Sequence, residues 1–494
     1  MTPELRTARD YEKEKESLIR SEDRPYYHLS ARVGWMNDPN GFSFYNGKYH
    51  LFYQYHPYDS HWGPMHWGHA VTEDLIHWEY LPCAMAPDTE PDQDGCFSGS
   101  AVTLPDGRHM LMYTGVVKEG EWLADTILRQ TQNLAFGDGI SYRKYEGNPV
   151  LTDRDLPEGG SPFAFRDPRV WAAEDGSYRA LAANDNADGG GQMLLFRSDD
   201  ALHWSFVKVF ARNAGRIGKM WECPDFFILD GQYVLLGSSQ DMLPKGLEYH
   251  NGNGTFYMFG DYDPGTETFY ERSNHAIDYG IDFYAPQTVL APDGRRIMIG
   301  WMQNWDTCNL HVKSTPWFGQ MSIPRELHVR NGILYQTPVK ELERLRGAET
   351  VHENILIEDR GITLPGIFGR TVDMELEVEA ADPERLYQKF AVRFAENEEY
   401  HTGVSFRPHE SSLKIDRKFS GSRRAIIHQR RAEVRHDRGR LKLRLLIDRF
   451  SVEVFVNDGE KVLTATMYTD LGADGISFHA DGSVRIRVRH FHLR

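Results

Sequence analysis

The chain has 494 residues, with 56 Lys and Arg against 72 Asp and Glu, a formal charge of −16 with neutral His. Phosphate backbones are held by clustered cations, so this balance excludes a nucleic-acid partner; the apolar runs fall far short of the roughly 20 residues of a membrane helix, which excludes a membrane span. Charge is uneven: residues 351–494 carry 24 basic and 23 acidic side chains, a net of +1, and residues 1–350 carry 32 and 49, a net of −17, so two regions are expected.

In chain order, residues 1–28 read as an N-terminal helical extension, with one exposed, charged helix over 5–22. It begins Met1-Thr2-Pro3-Glu4-Leu5-Arg6, without the charged-then-apolar layout of a secretory leader. Cys83, Cys96, Cys223 and Cys308 form no CxxC pair and no disulfide framework, so a cytoplasmic location is expected.

Residues 29–337 are short alternating runs rich in Val, Ile, Tyr, Phe and Trp, cut by Gly, Asp and Asn. Five hairpin signals recur: Asn46-Gly47, Asp106-Gly107, Asp175-Gly176, Asp230-Gly231 and Asp293-Gly294, with glycines 60, 69, 55 and 63 residues apart. A second marker, Asp74-Leu75-Ile76-His77-Trp78, Asp138-Gly139-Ile140-Ser141-Tyr142 and Asp200-Ala201-Leu202-His203-Trp204, is spaced by 64 and 62. A period of about 60 residues holds four short strands, the size of a propeller blade, so the segment is expected to be a five-bladed β-propeller rather than a string of unrelated hairpins. Residues 338–350 read as a short helical linker. Residues 351–494 alternate without that period and are expected to form a β-sandwich, making the chain all-β.

Nine residues before each hairpin glycine stand Asp38, Ser98, Asp167, Glu222 and Ala285. Equivalent positions gather at one channel mouth, so three acids are expected to meet, repel and titrate as a coupled set. Glycoside cleavage uses such carboxyls, one as protonated acid and one as ionised nucleophile or base. No local sequence has the Asp/Asn spacing of a calcium loop, and His56, His61, His66 and His69 lack a plausible completing ligand for zinc, so neither metal nor cofactor is expected. Trp35, Trp62, Trp67, Phe97, Tyr284, Trp301 and Trp305 lie near the same blade starts, where they serve either as core or as faces for a sugar. Cys223 reads as a small buried hydrophobe.

Six motifs in order carry a family resemblance: Trp35-Met36-Asn37-Asp38-Pro39-Asn40-Gly41, Phe52-Tyr53-Gln54-Tyr55, Phe97-Ser98-Gly99-Ser100, Phe165-Arg166-Asp167-Pro168, Trp221-Glu222-Cys223-Pro224 and Phe283-Tyr284-Ala285-Pro286-Gln287. With Gly319 to Arg325 and Val452 to Gly459, they resemble glycoside hydrolase family 32, which includes invertases, sucrose-6-phosphate hydrolases, levanases and inulinases. The resemblance implies a retaining β-fructofuranosidase with Asp38 as nucleophile, Glu222 as acid and base, and Asp167 as stabiliser of the oxocarbenium-like state beside the countercharge Arg166. It also implies that Asn37, Gln54, Trp62, Phe97, Ser98 and Trp301 line the fructose subsite. Burial and the neighbouring acids are expected to raise the pKa of Glu222, and donors such as Asn37 to keep Asp38 ionised.

The expected partner is a small sugar, sucrose or short fructo-oligosaccharides, acted on by a monomer or homodimer. Alternatives are a sucrose-6-phosphate hydrolase, a fructosyltransferase, a five-bladed arabinose or xylose glycosidase, and a non-catalytic fructan-binding propeller. The third would not carry the Trp35–Gly41 and Glu222-Cys223 motifs together, and the last would have lost an acid. Residues 411–450 hold 13 basic against 4 acidic side chains, including Arg423, Arg424, Arg430 and Arg431. They read as solvated strand faces, a subunit contact or a patch that attracts phosphorylated sugar.

Overall fold

Side chains that alternate apolar and polar bury one face of a pleated strand, and most of this chain adopts that solution. The computed structural model describes residues 1–122, 125–187, 189–308, 316–421 and 427–494. Five antiparallel meanders follow one another. Their first strands are Gly34–Tyr45, Gly95–Thr103, Gly160–Ala172, Trp221–Leu229 and Tyr284–Leu290. Each of these packs on the next and the fifth returns to the first, so the sheets close as a five-bladed propeller with first strands innermost. The segment Trp317–Phe318 adds a parallel strand beside the inner strand of the first blade, pairing Gly34 with Trp317 and Trp35 with Phe318.

Polar side chains tie the inner strands together. The Gly99 amide donates to Asn40 (3.2 Å), the Ser100 hydroxyl to the Pro168 carbonyl (2.7 Å), and the Thr288 amide and hydroxyl to Asp225 (2.8 Å each). Gln287 closes the ring, donating to the Gly99 carbonyl (2.8 Å) and accepting from the Phe42 amide (3.3 Å).

All five predicted hairpins form, by two routes. Asn46-Gly47 and Asp230-Gly231 are left-handed at both residues and join directly paired strands, whereas the other three turn with only the glycine left-handed. The second marker is an Asx turn between the third and fourth strands of a blade: the side chains of Asp74, Asp138 and Asp200 each accept two backbone amides. Leu75, Gly139 and Ala201 follow in left-handed conformation, so two blades accept there a strain that the other relieves with glycine.

The second region is a sandwich of two six-stranded sheets whose inner faces contribute Met374, Val392, Phe394, Ile415, Leu445, Val454, Phe478 and Val488 to one core. The linker helix is a 3-10 turn, Lys340–Leu345; residues 346–350, expected to be helical, already belong to the sandwich strand Arg346–Glu358, which pairs with Ser483–Leu493. The N-terminal helix is Pro3–Glu16, shorter than 5–22 and not fully exposed. Leu5 and Ala8 recur at helical spacing and are buried. Beside them Glu12 accepts from Arg32 (3.0 Å) and the Cys83 amide (2.9 Å), and burial lifts its carboxyl to about 7 against the pull of Arg32.

The basic stretch is not one solvated face. Arg417 and Arg430 turn inward, onto Asp282 (2.6 Å) and the Asn251 carbonyl (3.1 Å), while Arg431, Arg435, Arg440 and Arg444 stand beside carboxylates. Arg423 and Arg424 lie outside the described residues. No helix among the described residues is long and apolar enough to cross a membrane, and the four cysteines are free and buried.

The two domains meet through buried charge. Arg325, fully buried, reaches Asp278 (3.0 Å) on the propeller and Glu453 (2.9 Å) on the sandwich, so two motifs that lie far apart in the chain form one ion pair. His28 sits between Asp448 (2.8 Å) and Glu453 (3.0 Å). Burial pushes its pKa down, but the two carboxylates outweigh burial and raise it to about 9. A histidine raised in the fold stabilises it fully below its unfolded value of about 6.5, and that stability is lost as pH rises through the folded value. The wild-type melting temperature is therefore expected to fall as pH rises from about 7 through about 9, by the equivalent of on the order of 1–3 kcal/mol, and a His28→Asn protein to lack this component. Parallel wild-type and variant curves would remove His28 as the source.

Candidate active site

The inner strands carry the site because each is interrupted by a β-bulge, which re-aims side chains toward the channel. In the third, fourth and fifth blades the bulge opens after Arg166, Glu222 and Tyr284, which pair with Ala183, Ser238 and Trp301. Its first residue, Asp167, Cys223 or Ala285, is left-handed, with φ of +61°, +49° and +51°. Non-glycine residues are held there only where surrounding structure overrides the local cost.

This register corrects the equivalence drawn from spacing. Glu222 is the counterpart of Arg166, not of Asp167. In the first blade the bulge opens after Met36, so Asp38 is its second residue, at the place of Pro168 and Pro224. The three acids thus occupy three successive positions of the bulge. Counting back from the turn glycine fails because the fourth blade turns on two residues where the third uses five, and because the first, with a two-residue turn, has a second register shift between Asn40 and Ser43.

The three carboxylates nevertheless converge, each buried. Asp38 accepts from the Ser98 hydroxyl (2.7 Å) and the Asn37 amide (3.1 Å), and Asn37 is itself oriented by the Trp35 indole N–H (2.7 Å). Asp167 accepts from the Cys223 amide (3.0 Å), and its own amide donates to Thr114 (3.0 Å). Glu222 accepts at one oxygen from Nε and Nη2 of the Arg166 guanidinium (2.9 and 2.8 Å) and at the other from Gln240 (3.0 Å) and the Tyr284 hydroxyl (2.6 Å). The Cys223 thiol lies 3.6 Å from Asp38 and 3.5 Å from Asp167, so this residue joins two of the acids rather than merely filling space.

Electrostatics follow from burial. Desolvation, with the Glu222 charge, lifts Asp38 to about 6 against its hydrogen bonds from Ser98, Asn37 and Cys223. Desolvation and Glu222 lift Asp167 to about 7, with Arg166 opposing. The expectation that donors would hold Asp38 low is therefore not met, because burial outweighs them. The countercharge also falls on a different acid: Arg166 forks onto Glu222.

The remaining expected site residues are near but unequal. Ser98 and Phe97 lie on the second inner strand, and Gln54, on the second strand of the first blade, donates to the Cys96 carbonyl (3.0 Å). Trp62 is 47% exposed and meets the edge of Phe97, with ring centroids 6.1 Å apart. Trp301, expected to line the subsite, has no exposed surface. It packs against Trp35 (5.9 Å) and Trp305 (5.0 Å), because its strand ends behind the inner strand, and so it backs the wall of the site. Trp67 belongs to the blade core. Gln240 was missing from the expected set, and Tyr284 was expected as core or as a face for a sugar, not as a donor to Glu222. Tyr284 adjoins the fifth repeat position, whereas Gln240, on a second strand, has no sequence signal.

Comparison with known proteins agrees with this geometry. Residues 28–338 match the Glycosyl hydrolases family 32 N-terminal domain and residues 341–493 the Glycosyl hydrolases family 32 C terminal. A sucrose-6-phosphate hydrolase of Escherichia coli is 38% identical over 94% of this chain and 93% of its own, and a raffinose invertase of Escherichia coli is 37% identical over 92% of each. The solved Bombyx mori GH32 beta-fructofuranosidase superposes with a TM-score of 0.83 at 35% identity, covering 99% of this chain and 98% of that one. The chain belongs to glycoside hydrolase family 32. Its activity is that of a glycosidase of the β-fructofuranosidase class.

A carboxyl whose folded pKa is raised keeps its proton where the unfolded chain has lost it. It leaves stability unchanged below the unfolded value of about 4 and costs stability as pH rises to the folded value. Asp38→Asn is expected to be more stable than wild type at pH 7, by on the order of 1–3 kcal/mol, with the difference shrinking toward pH 4. Thermal melts at both pH values check it; a variant that is less stable at pH 7 contradicts the shift.

Proposed function

We propose that the site releases terminal β-D-fructofuranosyl units from sucrose and short fructo-oligosaccharides with retention of configuration. The single observation that supports this most is the convergence of three carboxylates from three blades, each held by different partners. Asp38 attacks the anomeric carbon, and the bond to the leaving oxygen breaks as Glu222 protonates that oxygen. Glu222 then takes a proton from water, whose oxygen displaces Asp38 and frees fructose. Asp167 accepts hydrogen bonds from sugar hydroxyls and its charge stabilises the oxocarbenium-like state; anchoring of one oxygen by Cys223 leaves the other for this role. With its carboxyl lifted only to about 6, Asp38 is ionised at neutral pH, as attack on the anomeric carbon requires. Arg166, Tyr284 and Gln240 orient Glu222, while Asn37, Gln54, Trp62, Phe97 and Ser98 line the fructose subsite, backed by Trp301. The four unpaired cysteines favour a cytoplasmic enzyme.

A second reading, hydrolysis of sucrose 6-phosphate, is favoured by the names of relatives, including a Lactobacillus gasseri structure with a TM-score of 0.83 and 28% identity. Against it, Arg166, the cation among the acids, is committed to Glu222. Sucrose is expected to turn over measurably, and hydrolysis confined to the 6-phosphate would reverse this preference. Asp38→Ala is expected to lower kcat by about 10⁴-fold or more while the protein stays folded, and the acid limb of kcat/KM to fall with protonation near pH 6. Retained turnover would falsify the nucleophile assignment.

A further inference from the structure

The sandwich domain reaches the wall of the active site. The turn 302–308 follows the second strand of the fifth blade, which ends at Trp301, and carries Trp305, a partly exposed ring lying 6.5 Å from Trp35 at an interplanar angle of 21°. Sandwich side chains hold that turn from behind. Gln303 donates to the Tyr468 hydroxyl (2.9 Å). Thr307 donates to Asp282 (2.9 Å), whose other oxygen receives Arg417 (2.6 Å) and the amide and hydroxyl of Thr466 (2.7 and 2.8 Å). Tyr468 also stacks on Phe318 (6.2 Å), which stacks on Trp35 (5.3 Å), whose indole N–H orients Asn37 on Asp38.

These contacts are more than the joining of two domains. Arg325 and His28 already join them away from this turn. Arg417 and Asp282 are both buried, and a buried charge is strongly constrained in position because any displacement leaves it unpaired. The turn therefore cannot shift relative to the sandwich without breaking the Thr307 bond to Asp282, which that pair holds in place, or the Gln303 bond.

We propose that Tyr468 and Arg417 are positioning residues of the active site, which set the 302–308 turn so that the Trp305 ring lies alongside Trp35 as a face for the bound sugar. This rests on the reading of Asp38 as the reacting carboxylate, which Asp38→Ala tests separately: that variant removes chemistry, whereas the present one alters sugar affinity.

Tyr468→Phe deletes the hydroxyl that receives Gln303 and keeps the ring on Phe318. It is expected to raise KM for sucrose by about 3–10-fold with kcat within about twofold, and Trp305→Phe to raise KM at least as much. Because both act through one ring, the double variant is expected to be no worse than Trp305→Phe alone, a non-additivity that a general loss of stability does not produce. Arg417→Lys, which retains the charge, is expected to raise KM less than Arg417→Met, and supplies the same comparison if Tyr468→Phe fails to fold. Independent, multiplicative KM effects of Tyr468→Phe and Trp305→Phe, or an unchanged KM in both Tyr468→Phe and Arg417→Met, would overturn the proposal.

Discussion

Three carboxylates buried in one channel repel, and each loses hydration that water would otherwise supply. Much of the propeller near the channel can be understood as what makes that arrangement tolerable. Arg166 supplies a positive charge to Glu222, Ser98 and Asn37 supply donors to Asp38, and the left-handed Cys223 turns its amide toward Asp167. These partners do not cancel the cost, since Asp38 and Asp167 remain lifted into the neutral range.

A cluster of that kind needs a rigid frame, and ring closure provides it. Asn40, Ser100, Gln287 and Thr288 bind neighbouring inner strands through side chains, so no blade can move without its neighbours. The same economy operates between domains, where Arg325, His28 and Arg417 use buried charge to fix orientation. Such pairs add little net stability over apolar packing, but breaking one is costly, which suits a joint whose geometry matters.

Hairpin turns were legible in the chain because their chemistry is local: an Asx-Gly pair reaches left-handed conformations that other residues resist. The five-fold recurrence of those turns led correctly to five blades, and the convergence of Asp38, Asp167 and Glu222 followed from it. Their exact equivalence did not follow. Turn length and bulge position vary independently between blades, so equal counts along the chain ended at three different places. The helical reading of 346–350 failed for a related reason, since Glu and Arg there suit either state until the strand Ser483–Leu493 arrives to pair with them.

By itself the sequence determined the all-β class, the repeat, the two-region charge division and the family, because each depends on local turn chemistry, composition or ordered motifs. Only the tertiary structure decided which acid receives Arg166, that burial outweighs the donors on Asp38, that Tyr284 and Gln240 belong to the site, that Trp301 stands behind it, and that the sandwich reaches Trp305. Each of these depends on distance and desolvation between residues remote in the chain, quantities that no local pattern encodes.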